Sequence, residues 1–281
     1  MAPSLPTATR NRARTSKRSI PPREPSGSRE VTRGAMLSVM QLNSRIRPRG
    51  ELALGRQELN AKFDSSPPRI LRSGELLAVA VGSRDAIYHL RAGWACQFRD
   101  LPNGRRAIVD IYLPGDVIGL DAAIRTRRSE EVLTLTSVTV ETIHAEDALI
   151  DLTATQSTAL YIVWLLSQRQ RRADRLRAAL SCLDARGRLA TMLLDLYTRL
   201  RRRKLIIASE YNLPLTQIQI GSYLGLTTVH INRTVRLLRD ERIVQMEKHC
   251  VAILDLDRLR NLAQHGAITN AGERALSEAA D

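Results

Sequence analysis

Two short helical patterns separated by a single glycine constrain this chain more than any other feature. Thr216 can cap a helix that runs to about Leu224, and Gly225 supplies the positive φ that ends it. Thr227 can then cap a second helix that runs to about Asp240. Two helices joined by a short turn that contains glycine are typical of a helix-turn-helix.

The second helix sorts into two faces at about 100° per residue. Ile231, Val235 and Leu238 share one face and are predicted to pack the module. The opposite face carries the side chains predicted to enter a DNA major groove, which are Val229, Asn232, Arg233 and Arg236. Arg can pair with guanine and Asn with adenine, so this face is suited to reading bases.

Polar residues at the helix starts complete the predicted DNA-binding set. They are Thr216, Thr227, Thr228 and His230. A wing is predicted to follow, with strands from Ile243 to Met246 and from Val251 to Leu254. Asp255 or Asp257 is then expected to cap a short closing helix.

Residues 69–143 form a second pattern, with the period of two that is typical of β-strands. Two strands around the turn Asn103-Gly104 each show one predicted buried face: Trp94, Cys96 and Phe98 in the first, and Val109, Ile111 and Leu113 in the second. Further strands are expected over 116–120, 132–135 and 138–143. Several short strands with regular turns predict a sandwich or barrel rather than a parallel sheet.

The period changes to that of a helix over residues 154–181. Apolar positions spaced by three and four residues form a seam over three heptads, interrupted once by Arg169: Ala159, Ile162, Leu166, Arg169, Ala173, Leu176 and Leu180. We interpret this seam as the contact between two copies of the chain. The alternative is a core helix within one chain.

Another amphipathic helix follows residue 182. Its apolar face consists of Leu189, Met192, Leu193, Leu196 and Leu200, and it ends in the basic run Arg201 to Lys204. Positive charge is favourable at a helix C-terminus. Two interpretations of the run stay open, a phosphate contact and a solvated helix end.

The overall charge is strongly positive, but most of it lies outside these patterns. Lys and Arg number 43 and Asp and Glu 29, a net charge of +14 over 281 residues. Residues 1–50 hold 11 basic and 2 acidic side chains, a net +9. Residues 1–35 are predicted to be a disordered basic tail, and 265–281 a flexible C-terminal tail. The first is either an arm that adds non-specific DNA affinity or a solvated segment, and Met36 could be the native start.

Several classes of protein are excluded. No apolar run approaches the roughly 18 residues of a membrane span, and the N-terminus lacks the apolar region of a secretory signal. Cys96, Cys182 and Cys250 lie far apart, which argues against a disulfide framework or a zinc ribbon and favours a cytoplasmic location. Cys96 is expected to be a core thiol, and a redox switch at Cys182 is a hypothesis.

These patterns together resemble the Crp/Fnr superfamily of bacterial transcription regulators, and within it the Fnr/FixK-like branch. The matching motifs are Gly93-Trp94, the run from Leu113 to Gly119, and the helix-turn-helix from Leu215 to Arg233. The resemblance implies an α+β fold with a cyclic-nucleotide-binding-like β-roll (jelly roll) over 36–153, a dimerisation helix over 154–181 and a winged helix-turn-helix over 182–264, which we call the reader. It also implies a homodimer on a pseudo-palindromic site in double-stranded DNA, and RNA polymerase as a further partner of an activator. No catalytic residues and no membrane contact are expected.

The family's ligand motifs are missing. Where cyclic-nucleotide readers have Glu after the glycine and Arg about eleven residues later, this chain has Leu120 and the pair Glu130-Glu131. Two carboxylates would repel a phosphate, so cyclic-nucleotide binding is not expected. Residues 1–95 contain no cysteine, which excludes the N-terminal iron–sulfur cluster. His89 or His144 could in principle bind haem, but a surface or structural role is favoured. No cofactor or metal is therefore identified, and the effector is unknown.

The reader also departs from the family's Glu-Thr-hydrophobic-Ser/Gly-Arg pattern. The matching positions run from Val229 to Arg233, so Arg233 carries over and the usual glutamate does not. Two rival functions are a small-molecule-binding β-barrel of enzymatic type and a non-specific basic nucleic-acid binder.

Overall fold

The computed structural model describes residues 48–77, 80–81, 84–102, 104–120, 131–144 and 153–264. The helices in these ranges are α1 (Pro48–Asp64), α2 (Gln156–Cys182), α3 (Ala185–Arg202), α4 (Gln217–Leu224), α5 (Thr228–Asp240) and α6 (Leu256–Gln264). The strands are β1 (Arg69–Leu71), β2 (Leu76–Leu77), β3 (Ala80–Val81), β4 (Arg84–Ala92), β5 (Ala95–Asp100), β6 (Arg106–Tyr112), β7 (Val117–Ile118), β8 (Glu131–Thr134), β9 (Val138–His144), β10 (Glu210–Asn212), β11 (Val244–Glu247) and β12 (Cys250–Ile253). The tails predicted over 1–35 and 265–281 lie outside the described residues.

Two antiparallel sheets form the β-roll. One has the strand order β1-β9-β4-β3 with β7 paired to β4, and the other has the order β2-β8-β5-β6. Both sheets contribute to one apolar cluster: Leu71, Leu77, Ala86, Tyr88, Leu90, Ala95, Tyr112, Ile118, Val132, Val138 and Val140. The roll, with the helix-turn-helix after it, confirms the predicted α+β class.

Strand β5 is buried on both sides, so the one-sided pattern predicted for it is wrong. Ala95 belongs to the core of the roll, as expected for one face of a sheet. Trp94 and Cys96 belong instead to a second cluster that includes the apolar face of α3. The C-terminal helices therefore cover the face of β5 that would otherwise meet solvent.

Strand β6 changes its inward phase part-way along. Gln97 pairs with Asp110, but the next residue of β5, Phe98, pairs with Ile108, so Val109 is the extra residue of a β-bulge. Ile108 is buried (8% exposed) and Val109 is 41% exposed, the reverse of the predicted pattern. Ile111 and Leu113 lie beyond the bulge and are buried as predicted.

Helix α1 was not predicted within the segment assigned to the roll. It buries Leu52, Leu59 and Phe63 against the roll and α2. A Cβ atom on Gly55 would lie 2.1 Å from the Ser157 carbonyl oxygen, so only glycine permits this close crossing of α1 and α2. The spacing of the three apolar residues, at i, i+7 and i+11, is the signal that could have revealed the helix.

A short break separates α2 from α3. Thr155 caps α2, and its hydroxyl accepts a hydrogen bond from the Thr158 N–H at 3.2 Å. Leu183 is extended, and Asp184 then caps α3 by accepting from the Gly187 N–H at 2.9 Å. The apolar face predicted for α3 is buried.

The basic run at the end of α3 makes a contact that neither interpretation foresaw. Arg203 extends to the roll, where it donates to the Pro114 carbonyl oxygen at 2.6 Å and to an Asp116 carboxylate oxygen at 2.5 Å. Arg201 and Arg202 are exposed. The expectation of a phosphate contact or a solvated end is therefore wrong for Arg203.

Candidate DNA interface

Helix α4 begins with a capping box. The Thr216 hydroxyl accepts from the Gln219 N–H at 3.2 Å, and the Gln219 side chain accepts from the Thr216 N–H at 2.8 Å. Ile220 and Leu224 are buried in the core of the module. The predicted start of this helix is thus explained by local hydrogen bonds.

Two glycines shape the turn between α4 and α5. Gly225 has φ of 63° and ends α4 as predicted. Gly221 was not singled out from the sequence, yet a Cβ atom there would lie 2.6 Å from the Leu226 carbonyl oxygen. The Leu226 N–H donates to the Gly221 carbonyl at 2.9 Å, so the turn folds directly over this glycine. Two glycines four residues apart were the available signal.

Helix α5 packs by the face that its sequence predicts. Ile231 and Leu238 are buried and Val235 packs against the same cluster. Thr234 is also buried, and its hydroxyl donates to the His230 carbonyl oxygen at 2.7 Å. Thr227 caps the helix by accepting from the His230 N–H at 3.3 Å.

The opposite face of α5 is open to solvent. Val229 is 75% exposed, and His230, Asn232, Arg233 and Arg236 are exposed too, while Thr228 is half-buried. Among the described residues, neither arginine has a carboxylate partner. The predicted base-reading residues therefore lie together on one open face of α5, with their polar groups uncommitted.

The wing after α5 belongs to a three-stranded sheet. Its two predicted strands are β11 and β12, joined by Lys248 and His249 with φ of 43° and 70°, as a two-residue hairpin turn requires. The third strand, β10, was not predicted and pairs with β12. Asp255 caps α6 by accepting from the Arg258 N–H at 2.9 Å, which selects the first of the two expected caps.

Comparisons with known proteins agree with this architecture. A family model described as a Crp-like helix-turn-helix domain matches residues 187–262, and one described as a cyclic nucleotide-binding domain matches residues 68–153. The chain is 28% identical over 193 residues to the anaerobic regulatory protein of Haemophilus influenzae, across 68% of this chain and 74% of that protein. It is 27% identical over 180 residues to the transcriptional regulatory protein btr of Bordetella pertussis, across 63% of this chain and 73% of that protein.

A solved structure has the same fold. FixK2 from Bradyrhizobium japonicum matches with a TM-score of 0.61 at 23% identity, across 73% of this chain and 99% of that chain. This chain belongs to the Crp/Fnr family. It is a DNA-binding transcription regulator, as the resemblance noted from its motifs implied.

Position 120 of this Crp/Fnr protein does not fit the ribose of a cyclic nucleotide. Leu120, where a ribose-binding glutamate would be needed, is buried in the apolar cluster with Leu59 and Phe63. Glu131 is exposed at the start of β8, while Glu130 lies outside the described residues. An apolar side chain packed under α1 cannot accept hydrogen bonds from a sugar.

His89 is a buried structural residue, not an open ligand site. Its Nδ1 lies 3.5 Å from Glu141 Oε2, and its ring centroid lies 5.2 Å from that of Phe63. Burial, with the nearby Arg91 guanidinium, lowers the pKa of His89. No group of three or more His, Cys, Asp or Glu in the described part of the chain could hold a metal ion. The side chain of His144 lies outside what the structure describes.

The cysteines differ in exposure. Cys96 is buried, as expected of a core thiol, and burial raises its pKa to about 11. Cys182 is exposed at the end of α2, and the redox hypothesis stays a prediction. None of the described helices is long and apolar enough to span a bilayer.

Helix α2 turns one side to its own chain and the other to solvent. Ser157, Tyr161 and Ala179 are buried on the first side, whereas Val163 and Asp174 are exposed on the second. The seven predicted seam residues run along the flank between these sides, and all are half-buried.

Part of the seam is already in contact with its own chain. Ile162 and Leu166 pack against the cluster that contains the buried face of α1, and Leu176 packs against the cluster of the reader. Arg169 Nε lies 3.2 Å from Asp110 Oδ2 on β6. This ion pair lies within one chain, so the presence of Arg169 in an otherwise apolar seam does not require a contact with a second copy.

Proposed function

We propose that this Crp/Fnr regulator binds double-stranded DNA as a homodimer, with the α5 helix of each copy in the major groove of one half-site. The observation that supports this most directly is the open face of α5, on which Asn232, Arg233 and Arg236 have no partner within the described chain. Two such helices related by a two-fold axis would read a pseudo-palindrome whose half-sites lie about one helical turn apart.

We further propose that the copies pair along the flank of α2. Ala173 and Leu180 are half-buried and lie beside the solvent-facing side of the helix. Ile162 and Leu166 keep part of their surface accessible beside them. A second helix on this flank would cover the remaining apolar surface, which is the usual reason for helix pairing.

The proposal assigns a role to five exposed side chains of α5. Arg233 and Arg236 donate to guanine or to phosphate, and Asn232 pairs with adenine. His230 lies beside the cap of α5 and would contact a phosphate. Val229 replaces the family's glutamate and would pack on a thymine methyl group, so the half-site should differ from that of relatives with glutamate.

The effector is not assigned, and we propose that the roll acts as a scaffold whose DNA binding does not require a cyclic nucleotide. If the protein activates transcription, RNA polymerase is its further partner. Because its ligand is chromosomal DNA, we place its action in the cytoplasm.

Selection from a pool of random duplexes tests the proposal. We expect enrichment of an inverted repeat and a steep loss of affinity with salt. Failure to enrich any inverted repeat would contradict the dimer model. A binder driven only by the basic tail would lose most affinity on removal of residues 1–35, whereas the reader should retain its preferred sequence.

The dimer seam is tested by two matched substitutions on α2. Ala173→Asp places a charge on the proposed flank and should shift the protein to monomer in sedimentation equilibrium. Val163→Asp places the same charge on the exposed side and should leave a dimer. A dimer broken by Val163→Asp alone would relocate the interface to the other side of α2.

A further inference from the structure

The reader is fastened to the roll by a buried ion cluster at the turn after β6. Asp116 is 7% exposed and accepts from the Leu113 N–H at 2.7 Å. Arg199 donates to it at 2.6 Å and also to the Ile111 carbonyl oxygen at 2.9 Å. Arg203 approaches the other carboxylate oxygen at 2.5 Å. Arg199 of α3 and the C-cap residue Arg203 therefore share one carboxylate of the roll.

A second contact ties the helix-turn-helix itself to the roll. The Ser222 hydroxyl on α4 donates to the Arg106 carbonyl oxygen at 2.6 Å and accepts from the Ile108 N–H at 3.1 Å. Among the described strands β6 is at the end of its sheet, so these backbone groups have no strand there to pair with. One side chain thus satisfies both a donor and an acceptor of an open edge.

An apolar layer lies between these two contacts. Trp94, Ile111 and Leu113 of the roll share one buried cluster with Leu193 and Leu196 of α3. Moving the reader would expose this layer to water and unpair the buried charges, and both changes cost free energy. We call Asp116, Arg199, Arg203 and Ser222 the interdomain clamp.

The clamp leaves the DNA-reading face untouched. Val229, Asn232, Arg233 and Arg236 remain exposed while the clamp is closed. The roll is also tied to α2, because Asp110 of β6 accepts from Arg169 at 3.2 Å and lies 3.8 Å from Arg172. A continuous set of contacts therefore runs from α2 through β6 to α4.

We propose that the interdomain clamp consists of positioning residues that fix the reader relative to α2, and so set the half-site spacing that the dimer accepts. This inference rests on the proposed dimeric DNA binding. If α2 pairs with its copy, the relative position of the two α5 helices depends on the contacts that hold each reader to its own roll. The contacts of the interdomain clamp then fix the separation of the two α5 helices.

The test compares duplexes that differ only in spacing. The selected inverted repeat is kept, and its half-sites are moved closer or further apart by one and by two base pairs. The variant is Arg203→Gln combined with Ser222→Ala, which leaves the Arg199–Asp116 pair intact and so avoids an unpaired buried charge. Arg202→Gln is the matched control, since it removes the same charge from the exposed neighbouring position on α3.

Wild type should bind the selected spacing and lose affinity steeply at the altered ones. The penalty is the Kd at an altered spacing divided by the Kd at the selected spacing. In the double variant we expect this ratio to fall by roughly tenfold, the equivalent of one or two lost hydrogen bonds. Arg202→Gln should weaken all spacings by one common factor. A merely structural role for the clamp would likewise lower affinity by one factor at every spacing.

Amide exchange at Ile108 reports directly on the clamp, because its N–H donates to Ser222. Faster exchange in the double variant with an unchanged spacing preference would overturn the inference, and so would unchanged exchange. Tighter binding at an unchanged preference would show that the clamp holds the reader back, and would also overturn it. If wild type binds no duplex as a dimer, the proposed function itself fails and the inference with it.

Discussion

Arginines on two helices of the same reader meet opposite surroundings. Arg199 on α3 and Arg203, which caps the end of α3, point to the roll, where Asp116 and backbone carbonyl oxygens accept their hydrogen bonds. On α5, Arg233 and Arg236 are exposed and without a carboxylate partner in the described chain. The side-chain chemistry is identical, and the difference is whether another domain brings acceptors within reach.

Because of this difference, the two groups of arginines have separate roles, one in domain packing and one in contacts with an external ligand. A buried guanidinium whose donors are used by its own chain stabilises one arrangement of the domains. An exposed guanidinium keeps its donors for an external anion or a base edge. Positive charge at a helix surface therefore identifies a DNA contact only when no internal carboxylate neutralises it.

Removing Asp116 should give the largest effect. Asp116→Ala leaves the buried Arg199 with only its longer contact to Asp195, at 3.4 Å, and we expect a loss of about 3–5 kcal/mol in the free energy of unfolding. Urea denaturation measures this loss. Asp257→Ala, which removes the exposed partner of Arg260, should cost below about 1 kcal/mol. Equal effects of the two substitutions would contradict the importance assigned to burial.

The same carboxylate predicts a dependence on pH. Burial alone would raise the pKa of Asp116, but the Arg203 and Arg199 guanidinium groups hold it well below its usual range. The stabilising effect is therefore complete above the ordinary carboxyl pKa and is lost as the pH falls below it. The difference in stability between wild type and Asp116→Ala should accordingly shrink on acidification.

Arg233→Ala should affect binding and leave stability unchanged. We expect a loss of about 1–3 kcal/mol in binding free energy and a relaxed base preference at one position of each half-site. Binding titrations with the selected site and its single-base variants measure both. Arg260→Ala, which removes an equal charge from α6, should retain the base preference. A change in melting temperature with Arg233→Ala would show that this side chain stabilises the fold, as Arg199 and Arg203 do.

The smallest effect is expected at the half-buried carboxylate of Glu58. Glu58 accepts from the hydroxyls of Ser157, Thr155 and Thr158 at the start of α2, and these hydrogen bonds lower its pKa from 4.5 to about 2. Because the folded pKa is lowered, its contribution is present above the unfolded value and disappears as the pH falls from 4.5 to about 2.

Glu58→Gln should flatten the stability profile in that pH window, as followed by thermal unfolding. Glu131→Gln, at an exposed position on β8, is the control. An unchanged profile for Glu58→Gln would show that the hydroxyl contacts do not persist in solution.

The sequence alone determined the reader and the class of the fold. The caps of α4 and α5, at Thr216 and Thr227, use groups three residues away, and Gly225 needs only its own backbone conformation. The hairpin of the wing is likewise local. Local rules suffice here because donor, acceptor and turn residue lie within a few positions of one another.

Only the tertiary structure decided the rest. The inward phase of β6 depends on a bulge against β5, and the burial of both faces of β5 depends on α3. The Arg199–Asp116 pair joins residues 83 positions apart, and Ser222 meets Arg106 across 116 positions. A short-range sequence pattern cannot predict such partners, because the donors and acceptors come within hydrogen-bond distance only when the domains pack. The sequence thus specified the helix that we propose reads DNA, and packing between the domains decided which arginines stay free for that role.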